Sequence, residues 1–293
     1  MTIVFLVFGE NLTYYKQTYL SILSLLRRKR KEDRVLVFAE NPRYFLRLNG
    51  LVESIEITQE QIKDWSLKIG YYFRCKIKVL EYAAQLYPDS HLLFFDGDVF
   101  VVGDLSLFEQ KLNEGIGLMH KNEGHPSGMG KKIKRMWNAI KGKTIDGTTI
   151  SMKHDMWNSG VIGIPRDSRL SVISKACCIC DAILSTGKAS FTAEQYSFSI
   201  AMNEQLIVEP TDNWVWHYWG NKDGWLDRID KFIVESHLCN NSIEREIVLT
   251  DDIIRESIPV YVDKSDTKRR LIKLINRLFK DKIPTDNNSQ SYS

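Results

Sequence analysis

The chain has 293 residues, 43% of them hydrophobic and 26% charged, with a formal net charge of +3. This balance excludes a disordered, fibrous or disulfide-stapled protein, and a chain of this size buries roughly 75% of its unfolded surface. The charge is unevenly spread: from Asp266 to the end seven Lys and Arg face three Asp. The body is therefore close to neutral, which argues against a nucleic-acid-binding surface spread over it.

Ile3-Val4-Phe5-Leu6-Val7-Phe8 is a continuous apolar run ending at Gly9. It is too short for a signal segment and lacks the basic flank, so it reads as the first strand. Tyr15, Tyr19, Ile22, Leu23 and Leu26 recur at helical spacing, and the basic run Arg27 to Lys31 closes that helix. Val35 to Phe38 is a second buried strand. Strand, helix and strand make a βαβ unit with the usual right-handed parallel crossover.

Tyr71 to Tyr87 places Phe73, Ile77, Leu80 and Ala84 on one helical face, and Pro88-Asp89 stops it. Leu92 to Phe95 is then an apolar strand ending in Asp96-Gly97-Asp98, after which apolar residues resume at Val99 to Val102. Two carboxylates one residue apart at the mouth of a core are costly to desolvate unless a cation offsets them. That spacing suggests a hard divalent metal carrying phosphate oxygens, the alternative being a polar strand-to-loop turn. Gly103 to Ser106 makes the next turn, in the order expected of an open α/β sheet with ligands at the carboxyl ends of its strands.

From Lys121 to Lys153 the periodicity breaks down, and an excursion rather than a layer of the fold is expected. Within it Lys131 to Lys143 holds six basic residues and no acid, as a solvated loop, a lid, or a surface for an anionic glycan. Trp157 to Pro165 reads as another strand and Leu170 to Leu184 as a helix. Five cysteines at irregular spacing form no disulfide framework and point to a reducing compartment. Cys177 to Cys180 contains a single C-x-x-C, for which burial on a helix is expected rather than zinc.

Leu271, Ile272, Leu274, Ile275, Leu278 and Phe279 recur at spacings of three and four, interleaved with six Lys and Arg. They predict a C-terminal amphipathic helix about 20 Å long, suited to lie on an anionic membrane surface. No segment offers the ~20 apolar residues of a membrane span.

Trp157-Asn158-Ser159-Gly160-Val161, Thr192-Ala193-Glu194-Gln195-Tyr196 and the run Trp216-His217-Tyr218-Trp219-Gly220-Asn221-Lys222-Asp223-Gly224-Trp225 join the carboxylate pair. Together, in the same order and at similar intervals, they resemble the motifs of family 8 glycosyltransferases over most of residues 1–262. The resemblance implies a GT-A fold: an α/β, Rossmann-like, mixed, mostly parallel sheet flanked by helices. It implies transfer of a hexose from a UDP-sugar to a saccharide or glycolipid acceptor, with retention and with Mn2+ (or Mg2+) as cofactor. The expected domains are a catalytic body over 1–262 and a membrane-association tail over 263–293, giving a cytoplasmic, peripherally membrane-associated enzyme that binds no nucleic acid.

Carried over residue by residue, the resemblance makes Asp96, Asp98 and His217 the metal ligands. Asn158 and Gly160 line the sugar pocket, and Glu194 with Gln195 stands beside the anomeric carbon. Phe8 and Gly9 border the uracil, Arg74 contacts the nucleotide, Gly97 belongs to the donor-binding set, and Gly220 offers its amide to phosphate. Where the family reads Lys-Pro-Trp this chain has Asp223-Gly224-Trp225, with Lys222 one residue early. The phosphate-clamping lysine is therefore Lys222, or Lys76 in its place. His120, His125, His154 and His237 read as packed or hydrogen-bonded residues, and Trp214, Trp216, Trp219 and Trp225 are open to a plain core role.

Two rivals stand beside this reading. A haloacid dehalogenase-type phosphatase would use Asp96 as nucleophile, with Asp251-Asp252 as its later acidic motif, although Phe100 sits where that class wants Thr or Val. A non-catalytic nucleotide-sugar or membrane-surface binding protein would keep the site without turnover.

Overall fold

The computed structural model describes residues 1–262. Met1–Val260 form one compact unit, and of the unit that begins at Tyr261 only Tyr261 and Val262 are among the described residues. The basic amphipathic helix expected after residue 263 lies outside the described residues.

The strands are β1 (Thr2–Val7), β2 (Arg34–Ala39), β3 (Glu53–Glu56), β4 (Leu92–Phe95), β5 (Val99–Val101), β6 (Gly117–Gly124), β7 (Thr144–Ile145), β8 (Thr148–Thr149), β9 (Met156–Ile164), β10 (Val208–Pro210) and β11 (Val215–His217). The helices are α1 (Leu12–Leu26), α2 (Gln59–Trp65), α3 (Arg74–Leu86), α4 (Leu105–Asn113), α5 (Lys131–Ile140), α6 (Arg169–Ser185), α7 (Ala193–Asn203), α8 (Lys222–Leu238) and α9 (Ile243–Arg255). Seven strands form the main sheet in the order β10-β6-β9-β4-β1-β2-β3. β1, β2, β3 and β4 run parallel, β10 is parallel to β6, and β9 lies antiparallel between β4 and β6. The sheet is thus the mixed, mostly parallel, helix-flanked one expected. Its central strands are Val-, Ile-, Leu- and Phe-rich because both faces are covered.

The reversed strand makes the site possible. Parallel strands deliver their carboxyl ends to one edge, and an antiparallel neighbour delivers its amino end to that same edge. β9 thereby sets Asn158, Ser159 and Gly160 beside the end of β4, where the Asp96 N–H donates to Gly160 O at 2.9 Å.

Past the carboxylate pair the apolar run does not continue the main sheet. Val99–Val101 separates as β5 and pairs antiparallel with β11, placing His217 opposite Val99. Trp225 at 0% exposure stacks on Tyr218, with centroids 4.5 Å apart and planes at 11°, while Phe100 packs against both Trp216 and Trp225. Asn221 Nδ2 and Trp225 Nε1 both donate to Pro259 O. Trp225 is core, and Trp214 and Trp216 pack against it from partly buried positions, whereas Trp219 is 48% exposed.

The segment 121–153 is not an excursion. β6 carries Lys121, Asn122 and Glu123 as part of the main sheet, and α5 buries Met136, Trp137 and Ile140 in the core. Four apolar side chains, Ile133 with those three, keep helical spacing among basic neighbours whose charge and glycine flanks masked the pattern. All five cysteines are free. Cys177, Cys178 and Cys180 lie on α6, Cys180 buried and Cys178 exposed. Among the described residues no helix is long and apolar enough to cross a membrane.

Gly103 closes the β5–β11 unit. Val102 and Gly103 both donate N–H to Trp214 O at 2.9 Å, and a Cβ on Gly103 would meet Trp214 Cβ at 2.6 Å and its Cα at 3.1 Å. Gly103→Ala is therefore expected to destabilise the protein by about 1–3 kcal/mol through overpacking against backbone. Gly128→Ala, where a Cβ meets nothing within 4 Å, should stay within about 0.5 kcal/mol of wild type. Thermal unfolding of the two variants measures the contrast.

Candidate active site

At the edge where β4 and β9 meet, two cavities join over the Asp96-Gly97-Asp98 turn. The larger, about 530 Å³, is bordered by Glu123, Asn158, Ser159, Glu194, Gln195, His217, Phe191 and Trp219. The smaller, about 410 Å³, lies at the end of β1 between Phe8, Tyr14, Tyr72 and Phe73. Phe73, Lys76, Asp96, Gly97, Asp98 and Lys222 line both. One end is aromatic and the other rich in hydrogen-bonding groups.

Between them Asp96, Asp98 and His217 offer ligand atoms all within 4.8 Å of one another, the one such group among the described residues. His217 Nε2 lies 3.2 Å from Asp98 Oδ1 and 4.0 Å from Asp96 Oδ2. The orientation of this imidazole is settled by its neighbours. Asn158 Nδ2 donates to Glu123 Oε1 at 3.0 Å, which turns Oδ1 of the amide the other way. That oxygen accepts from the Gly160 N–H and faces His217 Nδ1, both at 2.9 Å. An amide oxygen only accepts, so Nδ1 carries a hydrogen and Nε2 is the ring nitrogen turned toward the carboxylates. Two carboxylates and one imidazole are a donor set that suits manganese, and magnesium less well, with positions left for phosphate oxygens.

Gly160 stands against the His217 ring, and a Cβ there would collide with Nδ1 and Cε1. The small residue makes room for the imidazole rather than for a sugar, and Gly160 is not among the residues lining either cavity.

Beneath the metal-type triad lies a buried ion network that joins Lys76 to Asp96 and Glu194. The Lys76 side chain is 7% exposed, with Nζ 3.0 Å from Asp96 Oδ1 and 3.5 Å from Glu194 Oε1. It also donates to Ser159 O at 3.0 Å and Ser159 Oγ at 3.2 Å. Burial opposes its charge, but Asp96 and Glu194 outweigh that and hold the ammonium protonated. Asp98 is likewise disfavoured by burial, yet His217 and Lys222 pull its carboxyl well below the usual range. Lys222 Nζ is 2.7 Å from Asp98 Oδ2. His120 stands edge-on to His217 at 5.2 Å, and burial pushes it down to about 3, so it is neutral.

Glu194, at the start of α7, is 2% exposed and fixed by its N–H to the Tyr71 hydroxyl and by the Ser159 Oγ donating to Oε2 at 3.2 Å. Gln195 donates Nε2 to Glu123 Oε2 at 2.9 Å, leaving its carbonyl oxygen to offer to a ligand. Glu123 thus fixes two amides at once. It went unnoticed because nothing in its local pattern marks it.

Three expected residues are not brought to the cavities. Arg74 forks onto Asp181 at 2.7 and 2.9 Å and donates to Trp65 O. Residues two apart on a helix point about 200° from one another, so with Lys76 turned into the site Arg74 faces α6 instead. Gly9 donates its N–H to Glu40 Oε2 at 2.6 Å, and Gly220 lies in the loop before α8; neither lines a cavity. The later acidic motif of the phosphatase reading falls on α9, where Asp251 pairs with Arg27 and Arg28 and Asp252 with Arg255, leaving no second acidic group for Asp96 from there.

No protein-family model matches the chain, and no curated protein does. Solved structures similar to it include the galactosyltransferase LgtC in complex with donor and acceptor sugar analogues, 16% identical over 72% of this chain and 74% of that one, with a TM-score of 0.49. Mouse xyloside xylosyltransferase 1 is 11% identical over 72% of this chain and 85% of its own, TM-score 0.48. The glycosyltransferase GlyE of Streptococcus pneumoniae TIGR4 is 15% identical over 83% of this chain and 52% of its own, TM-score 0.44. The functional reading that follows rests on the site.

Burial pushes Glu194 up to about 7, Lys76 opposing and Asp96 adding to the shift. A carboxyl raised in the folded state binds more protons there than in the unfolded chain. Its contribution to stability is therefore full below its unfolded value and falls as pH rises to about 7. Relative to Glu194→Gln, the wild type should lose up to about 3 kcal/mol of stability between pH 4.5 and 7.5, on top of any constant offset from the lost contact to Lys76. Denaturant unfolding of both proteins across that range would show parallel curves if Glu194 keeps an ordinary pKa.

Proposed function

We propose that the chain is a metal-dependent glycosyltransferase that moves a hexose from a UDP-sugar to a saccharide or glycolipid acceptor. The observation that carries this is the meeting of two unlike cavities over one metal-type triad. An aromatic slot at the end of β1 suits a planar base, and the pocket with Asn158, Glu194 and Gln195 suits a hydroxylated ring. A diphosphate joining base to sugar would cross Asp96, Asp98 and His217.

The bound ion would offset the charge that builds on the departing diphosphate, the main barrier in such a transfer. Lys222, on the rim of both cavities, is the cation placed to reach phosphate oxygens. Lys76 is not free for that task, because it holds Asp96 and Glu194 apart from each other's charge. Gln195 presents its carbonyl oxygen toward the sugar, and Glu194 supplies negative charge behind the anomeric carbon where positive character develops. The bond from C1 to phosphate breaks with its electron pair passing to the diphosphate, and the acceptor oxygen bonds C1. With retention, attack comes on the leaving-group face, so the departing phosphate is the base nearest the acceptor proton.

A panel of nucleotide sugars assayed for slow manganese-dependent hydrolysis tests the reading without an acceptor, and UDP-sugars should be the ones turned over. Asp96→Asn and Asp98→Asn should each lower that rate by about 100-fold or more while retaining the fold. His217→Ala should raise the manganese needed for half activity, and His237→Ala should not. Near-normal turnover in either aspartate variant would remove that residue from the metal site.

The basic tail is proposed to hold the enzyme on the cytoplasmic face of an anionic membrane, near a lipid-borne acceptor. Its chemistry supports this: three to five Lys and Arg at a surface supply ~1 kcal/mol each, a reversible attachment. Deleting residues 265–293 is expected to release the protein from anionic vesicles and leave hydrolysis of the soluble donor unchanged. Co-sedimentation at wild-type levels would instead make the tail part of the fold.

A further inference from the structure

Resting on that reading, α5 bears on the nature of the acceptor. Met136, Trp137 and Ile140 seat this helix in the core, and Trp137 lies edge-on to Tyr196, the residue after Gln195, with centroids 6.4 Å apart. Ile133 lines the larger cavity. α5 is thus a wall of the pocket that would hold the sugar.

Its charged positions all carry the same sign. Lys131, Lys132, Lys134 and Arg135 are exposed, as are Lys141 and Lys143 just beyond, and no acid occurs between Glu123 and Asp146. None of the six forms an ion pair among the described residues, although Lys76, Lys78, Lys111, Lys121, Lys153, Lys175 and Lys222 all do. Lys131 repels both Lys134 and Arg135 across a helical turn, so the cluster weakens the helix that carries it. Nothing in the described residues offsets that repulsion.

Beside this wall the mouth is aromatic. Phe73, Phe191 and Trp219 line the larger cavity at 50%, 63% and 48% exposure. Flat apolar faces of this kind pack against the C–H faces of sugar rings, as ligand-pocket aromatics do.

We propose that the acceptor is a phosphate-bearing saccharide, its reacting sugar seated at the aromatic mouth and its phosphates lying along α5. Five of the six cations are lysines, point charges carried along the helix and just beyond its end. Ammonium point charges bind phosphate oxygens from any approach, and their spacing fits charges repeated along a chain rather than one planar group. The phosphates bind and do not react, so the bonds made and broken at C1 are those already given.

The test uses the full chain with manganese and UDP present, a phosphomannan oligosaccharide as probe, and oligogalacturonate and neutral mannan of equal length as comparisons. Binding is read by fluorescence anisotropy at two salt concentrations. The wild type should prefer the phosphorylated probe, and the preference should fall with salt. The combined Lys131→Gln, Lys132→Gln, Lys134→Gln, Arg135→Gln variant should lose about tenfold in affinity for it, while Lys131→Arg, Lys132→Arg, Lys134→Arg should retain it. Unchanged binding in the Gln variant overturns the proposal. So does equal or tighter binding of oligogalacturonate. Wild-type UDP-sugar hydrolysis is measured in parallel: its absence would refute the transferase reading, whereas intact hydrolysis with no effect of α5 refutes only the acceptor class.

Discussion

The buried ammonium of Lys76 is the interaction on which the rest of the site depends. Removing a cation from water is costly, and leaving a buried carboxylate unpaired is more so. Lys76 resolves both by standing between Asp96 and Glu194 and donating to Ser159, tying α3, β4, β9 and α7 at one point. Without it two carboxylates would face each other across a buried floor, and neither the metal-type triad nor Glu194 could stay in place. Burial still holds the Glu194 carboxyl above its ordinary value, with Asp96 adding to the shift.

A second constraint acts from the opposite side. His217 comes from β11, outside the main sheet, and reaches the carboxylates only because β5 leaves β4 at Asp98 and pairs with β11. The stacked Tyr218 and Trp225 and the shared Pro259 carbonyl fix the following turn, so Lys222 at the start of α8 arrives over Asp98. From the sheet side, Glu123 sets Asn158, and Asn158 sets the tautomer of His217. Two independently built units therefore converge on one centre, each presenting a polar group already committed on its far side.

Much of this was legible in the chain. Apolar runs ending in Asp96 or bounded by Trp157 and Pro165 mark buried strands whatever their partners, and the order of Asp96, Asn158, Glu194 and His217 marks a constellation. The failures share a cause: they concern direction in space, which a linear pattern does not encode. Arg74 and Lys76 are equally basic and two residues apart, and only the roll of α3 decides which enters the site. Gly160 is expected in the sugar pocket, whereas the neighbour that its missing side chain accommodates is His217, fifty-seven positions later in the chain. α5 was hidden because its apolar side is narrow and its charge is conspicuous, and Glu123 because its partners lie on other elements.

The shared lining of the two cavities also orients any ligand that fills both. A base in the slot at β1 and a sugar among Asn158, Glu194 and Gln195 leave only the turn Asp96 to Asp98 for the link between them, so the donor has one direction in the site. A sugar seated there would have β9 and α7 behind it and Ile133, Phe191 and Trp219 toward the open side. An acceptor cannot come from the sheet, which is packed, nor from the β1 end, which the base would fill. The open side is the mouth beside α5, where, among the described residues, six cations without an ion pair lie together.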